Sequence, residues 1–385
     1  MIRMRGITWN HTRGYAPLAA TSQVYADWHP DVEITWERRS LWAFGEQPLD
    51  ELVKGYDLLV IDHPMIGWAA QTGALVPLDE HLPAPVMERL RAGAVGRSQE
   101  SYHYEGHDYA LAIDAACQVA VCRPDLLTAL GCADVPRTWT EVLELAETTR
   151  KVGLPLNAID VLSAFFTLCA QLGAPFGERT EPGGLGAAFR EAGTRAVGML
   201  RELAALVGED CLTANPIALL RRMATTDEIA YCPLLYGYTN YSREGYAPRR
   251  LRFGDIPTFG RDGAVPSGSC LGGAGIAVSA SSQHLASAVE FASWLADPEI
   301  QRTEYLRAGG QPAACVAWDD PVANALTGDF FTNTRATIEA AYLRPRHPGF
   351  AEFQTEAAEM LRSAVLDTTP AADVLDRIEA RYLKP

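Results

Sequence analysis

Three short segments of this chain concentrate side chains able to hold a polar ligand. They are Trp9-Asn10-His11-Thr12-Arg13-Gly14-Tyr15, Arg38-Arg39-Ser40-Leu41-Trp42 and Asp62-His63-Pro64. Two guanidinium groups on one site, those of Arg13 and Arg39, would grip a carboxylate or phosphate through paired, charge-assisted hydrogen bonds. The alternative is that each pairs with a surface Asp or Glu. Trp9, Tyr15, Trp42, Tyr236 and Tyr238 supply aromatic walls, which small-molecule sites combine with a few converging polar groups. Asp62 would fix a ligand hydroxyl or orient an arginine, while His63 would donate to the ligand or cap the next turn. Taken together, the two arginines favour a small organic anion over a neutral sugar.

Other chemistries lack their residues. His11, Asp62 and His63 form a conceivable metal trio, but no HxxxH or HExxH pair fixes them on one element. No cysteine pair has CxxC spacing, so a zinc site is not expected. There is no GxSxG elbow and no GxxxxGK[ST] loop. Gly183-Gly184-Leu185-Gly186 follows Glu181-Pro182 with no strand before it, so it is not a dinucleotide fingerprint. The expectation is a protein with no catalytic residue, no metal and no cofactor.

The elements that must position these groups alternate between strand and helix. Met4–Trp9 reads as a strand, Asn10–Tyr15 as a polar loop, and Pro17–Trp28 as a helix ending before His29-Pro30. Val32–Trp36 alternates like a second strand, Pro48–Lys54 fits a helical turn, and Leu58–Ile61 is an apolar run suited to a buried parallel strand. This rhythm is that of an open parallel sheet, whose ligands bind beyond the carboxyl ends of the strands. Here those ends are the three segments named above. Helix follows over Pro83–Arg97, then two strand-like runs, Tyr109–Ile113 and Gln118–Cys122. A second helical region opens at Thr138 with capping chemistry before Glu141. It continues through Ala164–Leu172 and Leu185–Val207. Glu228–Pro233 reads as a strand, Tyr236–Tyr246 as a tyrosine-rich loop, and Gly272–Ser279 as a strand before the helix Leu285–Leu295. Gly349–Leu366 and Ala371–Leu383 are amphipathic helices. Asn157, after Leu154-Pro155-Leu156, marks a strand end of the second half, where Tyr238-Thr239-Asn240-Tyr241 could also line a cleft.

Bulk composition fits this organisation. A chain of 385 residues, 48% hydrophobic and 21% charged, suits two packed α/β domains. The net charge of −15, with no basic run, excludes a nucleic-acid partner. No apolar stretch is long enough to span a bilayer, so membrane insertion is not expected. Met1–Tyr15 lacks the apolar core of a secretion signal, so either a signal was trimmed or the protein stays in the cytoplasm. Eight scattered cysteines suit a reducing compartment better than a disulfide framework.

From Gly272 the pattern becomes specific. Gly272-Gly273-Ala274-Gly275-Ile276-Ala277-Val278-Ser279, Ala288-Val289-Glu290-Phe291-Ala292-Ser293-Trp294-Leu295 and Asp297-Pro298-Glu299-Ile300-Gln301 follow one another. Gly309-Gly310-Gln311-Pro312-Ala313 and Arg344-Pro345-Arg346-His347-Pro348-Gly349-Phe350 come next. Earlier stand Tyr56-Asp57-Leu58-Leu59-Val60-Ile61, Gly73-Ala74-Leu75-Val76-Pro77-Leu78, and Tyr109-Ala110-Leu111-Ala112-Ile113-Asp114 with Arg123-Pro124-Asp125-Leu126-Leu127. In this order the set resembles family 1 extracellular solute-binding proteins, which include sugar-binding subunits of bacterial ABC importers.

The resemblance implies an α/β fold of the periplasmic-binding-protein type, with two mainly parallel sheets joined by strand crossovers. It places residues 1–112 and 273–318 in one lobe, and 113–272 and 319–385 in the other. It implies capture of a small solute in an inter-lobe cleft by hinge closure, delivery to a membrane permease, a monomeric state, and a periplasmic or envelope location. Asp114 would then lie at one crossing, facing the ligand or locking the hinge, with Gln118 a weaker candidate beside it. Ser269, Gly272 and Gly273 would lie at the second crossing, where glycines let backbone N–H groups approach a ligand. Two further readings stay open: a carbohydrate-binding transport protein, and a cytoplasmic sensor, carrier or enzyme on the same fold.

Overall fold

The computed structural model describes residues 1–46, 49–132, 134–177, 185–260 and 264–383. In chain order the strands are β1 (Ile2–Trp9), β2 (Val32–Arg39), β3 (Leu58–Ile61), β4 (His103–Tyr104), β5 (His107–Asp108), β6 (Leu111–Cys122), β7 (Tyr231–Tyr236), β8 (Arg252–Gly254) and β9 (Leu271–Val278). They divide between two compact units of a mixed α/β fold. Unit 1 comprises Met1–Ala116, Gly272–Ala325 and Arg346–Ala351; unit 2 comprises Cys117–Leu271, Leu326–Pro345 and Glu352–Pro385. The chain leaves unit 1 inside β6 and returns at the start of β9.

In unit 1, β1 lies parallel between β2 and β3, in register from Ile2 with Val32 to Trp9 with Arg39. Then β9 runs antiparallel beside β3, and β6 follows β9. All four residues of β3 are buried. This is why Leu58–Ile61 shows no polar alternation: both faces of the sheet are covered. Met4, Leu18, Val60, Ile276 and Phe291 join the same apolar core.

Unit 2 is largely helical. Its helix Trp139–Thr149 begins with the expected capping box, Thr138 accepting from Glu141 N while Glu141 accepts from Thr138 N. The core centres on Phe176, whose ring lies 4.5–5.4 Å from those of Phe166, Phe189, Phe353 and Tyr382. Gln118–Cys122 of β6 pairs antiparallel with β7 on one side, and Ala120–Cys122 pairs with β8 on the other.

Several expected boundaries shift for identifiable reasons. The Asn10–Tyr15 segment is not a loop throughout, since the helix Thr12–Trp28 starts within it, capped by His11. The two strand-like runs are one strand, β6, with all twelve residues buried. Asp114 and Gln118 interrupt the apolar pattern there because their side chains find partners indoors. The strand expected at Glu228–Pro233 is β7, displaced to Tyr231–Tyr236. Inside the tyrosine-rich segment, Thr239–Ser242 forms a buried 3₁₀ turn. Pro48 of the expected Pro48–Lys54 turn lies outside the described residues, as do Gly183 and Gly184; Leu52–Gly55 is helical. No helix among the described residues is long and apolar enough to cross a membrane.

Candidate functional site

The parallel order β2–β1–β3 brings the carboxyl ends of three strands to one edge of unit 1. Trp9 and Arg39 are register partners, and Asn10 N donates to Arg39 O at 2.7 Å, so the first two segments are fixed side by side. At that edge the helix Thr12–Trp28 begins. His11 Nδ1 accepts from Arg13 N at 3.0 Å, and burial, then the nearby Arg13 charge, lowers the imidazole to about 4. His11 is therefore a neutral cap at pH 7.

Neither arginine offers its guanidinium to an anion. Arg13 is 3% exposed and holds Asp114 by two hydrogen bonds, Nε to Oδ2 at 2.7 Å and Nη2 to Oδ1. Burial pushes the Asp114 carboxyl up against the pull of Arg13. Arg39 donates from Nη1 to Ala43 O and from Nη2 to Val60 O, both at 3.1 Å, with its guanidinium 5.4 Å from the centre of the Phe44 ring. Burial lowers it to about 10. The expected anion clamp is thus corrected: both cations stitch the unit together internally.

The neighbouring cation is the one that reaches solvent. At the end of β2 Arg39 is buried while its predecessor Arg38 is exposed, although Arg38 follows the more buried positions Val32, Ile34 and Trp36 at a period of two. Arg38 is exposed, with its guanidinium 4.7 Å from the centre of the Tyr15 ring. Strand alternation does not foretell this, since by period two Arg39 would share the open face of Glu33, Thr35 and Glu37; the pattern breaks at the end of the strand. Trp42, just beyond, is 65% exposed. Trp9, by contrast, faces the core, its ring 5.0 Å from Phe44 and beneath Gly14.

At the third strand end Asp62 caps the turn His63–Met65, its Oδ1 accepting from His63 N at 2.8 Å. The imidazole of His63 is fully buried and lies 3.1 Å from the same carboxylate. Asp62 thus keeps partial access to solvent and His63 has none. No group of three His, Cys, Asp or Glu able to hold a metal occurs among the described residues. Gly273 has φ +110°, and a Cβ there would stand 2.4 Å from Asp114 O. Gly273 therefore lets β9 approach β6 closely.

Unit 2 gathers a separate polar group. Asn157 caps the helix Ala158–Gln171 by accepting from Asp160 N at 3.1 Å. Tyr236 ends β7, its hydroxyl 3.4 Å from Ser163 Oγ and from Cys270 Sγ, and burial raises it well above the usual phenol range. Ser269 Oγ donates to Gln118 O, and Thr167 Oγ1 to Gln118 Oε1, both at 2.6 Å. Tyr238 is buried. Asp160, Ser163 and Thr167 were missed from sequence, although spacing of three and four in an apolar helix marks a polar stripe.

Comparisons with known proteins agree with this architecture. A profile described as "Bacterial extracellular solute-binding protein" matches residues 51–325. A maltotriose-binding protein of Pyrococcus abyssi is 28% identical over 165 residues, which are 40% of this chain and 33% of that protein, so the chain aligns with about a third of that relative's length. Maltose-bound MalE3 of T. maritima superposes with a TM-score of 0.82 at 16% identity, covering 99% of both chains. A solute-binding protein of Thermotoga lettingae bound with alpha-D-tagatose gives 0.80 at 16% identity, covering 100% of this chain and 99% of that one. One from Agrobacterium radiobacter in complex with ribitol gives 0.79 at 18% identity, covering 99% and 98%. At these identities the superpositions establish the fold. The family match, extending over most of the chain, establishes membership: this chain belongs to the bacterial extracellular solute-binding proteins, a family of binding proteins and not of enzymes.

Proposed function

We propose that this chain captures a carbohydrate or sugar alcohol and presents it to an ABC-type permease. The observation that carries this reading is the character of the accessible strand-end edge. Trp42 is exposed four residues after Arg38, which stacks on Tyr15, while both arginines suited to an anion are consumed by internal partners. Aromatic faces with a few polar groups suit the alternating apolar faces and hydroxyls of a sugar. Asp62, which keeps partial access to solvent, would accept from a ligand hydroxyl. The bound maltose, tagatose and ribitol of structurally similar proteins, and the maltotriose-binding relative, support the same class.

Capture by closure of two lobes belongs to this proposal, with the two compact units as the lobes. A thermal-shift panel tests the ligand class, because a ligand that binds only the native state raises the melting temperature. Maltose, maltotriose, tagatose and ribitol are set against dicarboxylates and phosphonates. Stabilisation by a sugar or polyol supports the reading; stabilisation by the anions alone overturns it. Small-angle scattering tests closure: the stabilising ligand should lower the radius of gyration, and an unchanged value removes the closure step.

A further inference from the structure

Away from the strand ends, unit 1 carries a groove of about 670 Å³, within the range of about 300–1,000 Å³ common for small-molecule sites. It runs between the last turn of the helix Thr12–Trp28, the start of the helix Ala84–Gly93, and one face of the helix Leu285–Leu295. Leu82, Val86 and Trp294 form its apolar walls. Tyr25 lines its floor at 1% exposure, stacked on His29 at 4.1 Å and edge-on to Trp294 at 5.1 Å. The Tyr25 hydroxyl is buried and has no hydrogen-bond partner. A buried polar atom left unsatisfied is costly, and a ligand group that meets it recovers that cost.

The charge around this hydroxyl selects what could meet it. Arg89 on the rim is held by Asp297 at 2.7 Å. Glu290 is exposed and enters no ion pair among the described residues. Burial first, then Glu290 and Asp31, raises the Tyr25 phenol to about 12, so its oxygen stays neutral and able to accept. An unpaired carboxylate, a phenolic acceptor and an indole share one concavity, on a chain of net charge −15. This combination recognises a cation.

We propose that the groove is a second ligand site, selective for a small organic ammonium ion on an apolar or aromatic body. Glu290 supplies the counter-charge, Tyr25 Oη the acceptor and Trp294 the cation–π wall, while Leu82 and Val86 cover the body.

Titration calorimetry of the full chain with phenethylammonium, and with phenethyl alcohol as its neutral counterpart, tests this. The ammonium should bind about tenfold more tightly than the alcohol, and Glu290→Gln should weaken it by about the same factor. Glu290 is exposed, so that variant keeps the fold. Tyr25→Phe, which retains the ring, should also weaken the ammonium. Absence of binding, equal binding of ammonium and alcohol, or an unchanged affinity in Glu290→Gln overturns the proposal. No carbohydrate enters the measurement, so its outcome is independent of the ligand class proposed for the strand-end site.

Discussion

Arg13 and Asp114, 101 residues apart in sequence, form a doubly hydrogen-bonded ion pair with both side chains out of contact with water. The pair ties the first turn of the helix Thr12–Trp28 to the middle of β6. Each charge is tolerable indoors only because the other is present. Arg13→Ala or Asp114→Asn should therefore cost about 3–5 kcal/mol of unfolding free energy, the penalty for a stranded buried charge. Replacing both with apolar residues of similar volume should cost less than either single change. Urea denaturation of the two single variants and the double variant measures this. Additive losses would mean that the two groups act separately.

His11 makes the same corner sensitive to acid. The unfolded chain protonates it near pH 6.5, but the folded chain does so only near 4. Between those values the unfolded state holds the extra proton, so stability falls as pH drops through the window. The loss reaches up to about 3 kcal/mol below pH 4. Protonation would also convert Nδ1 from acceptor to donor and break the helix cap. His11→Asn, which caps without titrating, should flatten this component between pH 6.5 and 4, as read by melting temperature against pH.

Gly273 is required by its backbone. At φ +110°, with Asp114 O 2.4 Å from where a Cβ would stand, Gly273→Ala meets both strain and collision. A destabilisation of about 2–3 kcal/mol is expected, against no more than about 0.5 kcal/mol for an exposed surface change. The denaturant midpoint reports the difference.

Much of this arrangement was readable before any coordinates. Leu58–Ile61 and the capping box at Thr138 are local signals, and local signals survive folding. The ordered pattern from Gly272 carried the family. What failed was partner choice. Arg13 looked available because nothing in its neighbourhood announces Asp114, a contact that only tertiary folding creates. Arg39 is buried against the alternation of its own strand, whose residues Glu33, Thr35 and Glu37 on the same face are exposed, so the strand's period gave no warning. Trp9, an aromatic at a strand end, turned into the core because the helix starting at Thr12 covers it.

The thiols give a simple check on burial. Six of the eight cysteines are buried; Cys132 and Cys315 are partly exposed. Burial pushes Cys117 to about 12 and Cys122 to about 11, and raises Cys169, Cys211 and Cys232 as well. A thiol reacts as its thiolate. Iodoacetamide on the native protein near pH 8 should therefore modify Cys132 and Cys315 first, and all eight only after unfolding. Early labelling of Cys117 or Cys232, seen by peptide mass mapping, would contradict the packing of β6 against β7.

Trp42 is where stability and binding should separate. With 65% of its surface exposed, it contributes little to the core, so Trp42→Ala should change stability by no more than about 0.5 kcal/mol. If its indole stacks on a sugar ring, the same change removes a large desolvated contact and should weaken binding by about 2 kcal/mol, or roughly thirtyfold. Trp42→Phe should recover part of the loss, because a flat apolar face remains. Arg13→Ala should behave in the opposite sense, losing stability with the buried pair to Asp114. Calorimetric titration of the stabilising sugar, paired with denaturation of each variant, distinguishes the two residues. Unchanged sugar affinity in Trp42→Ala would show that the exposed indole is not part of the binding surface.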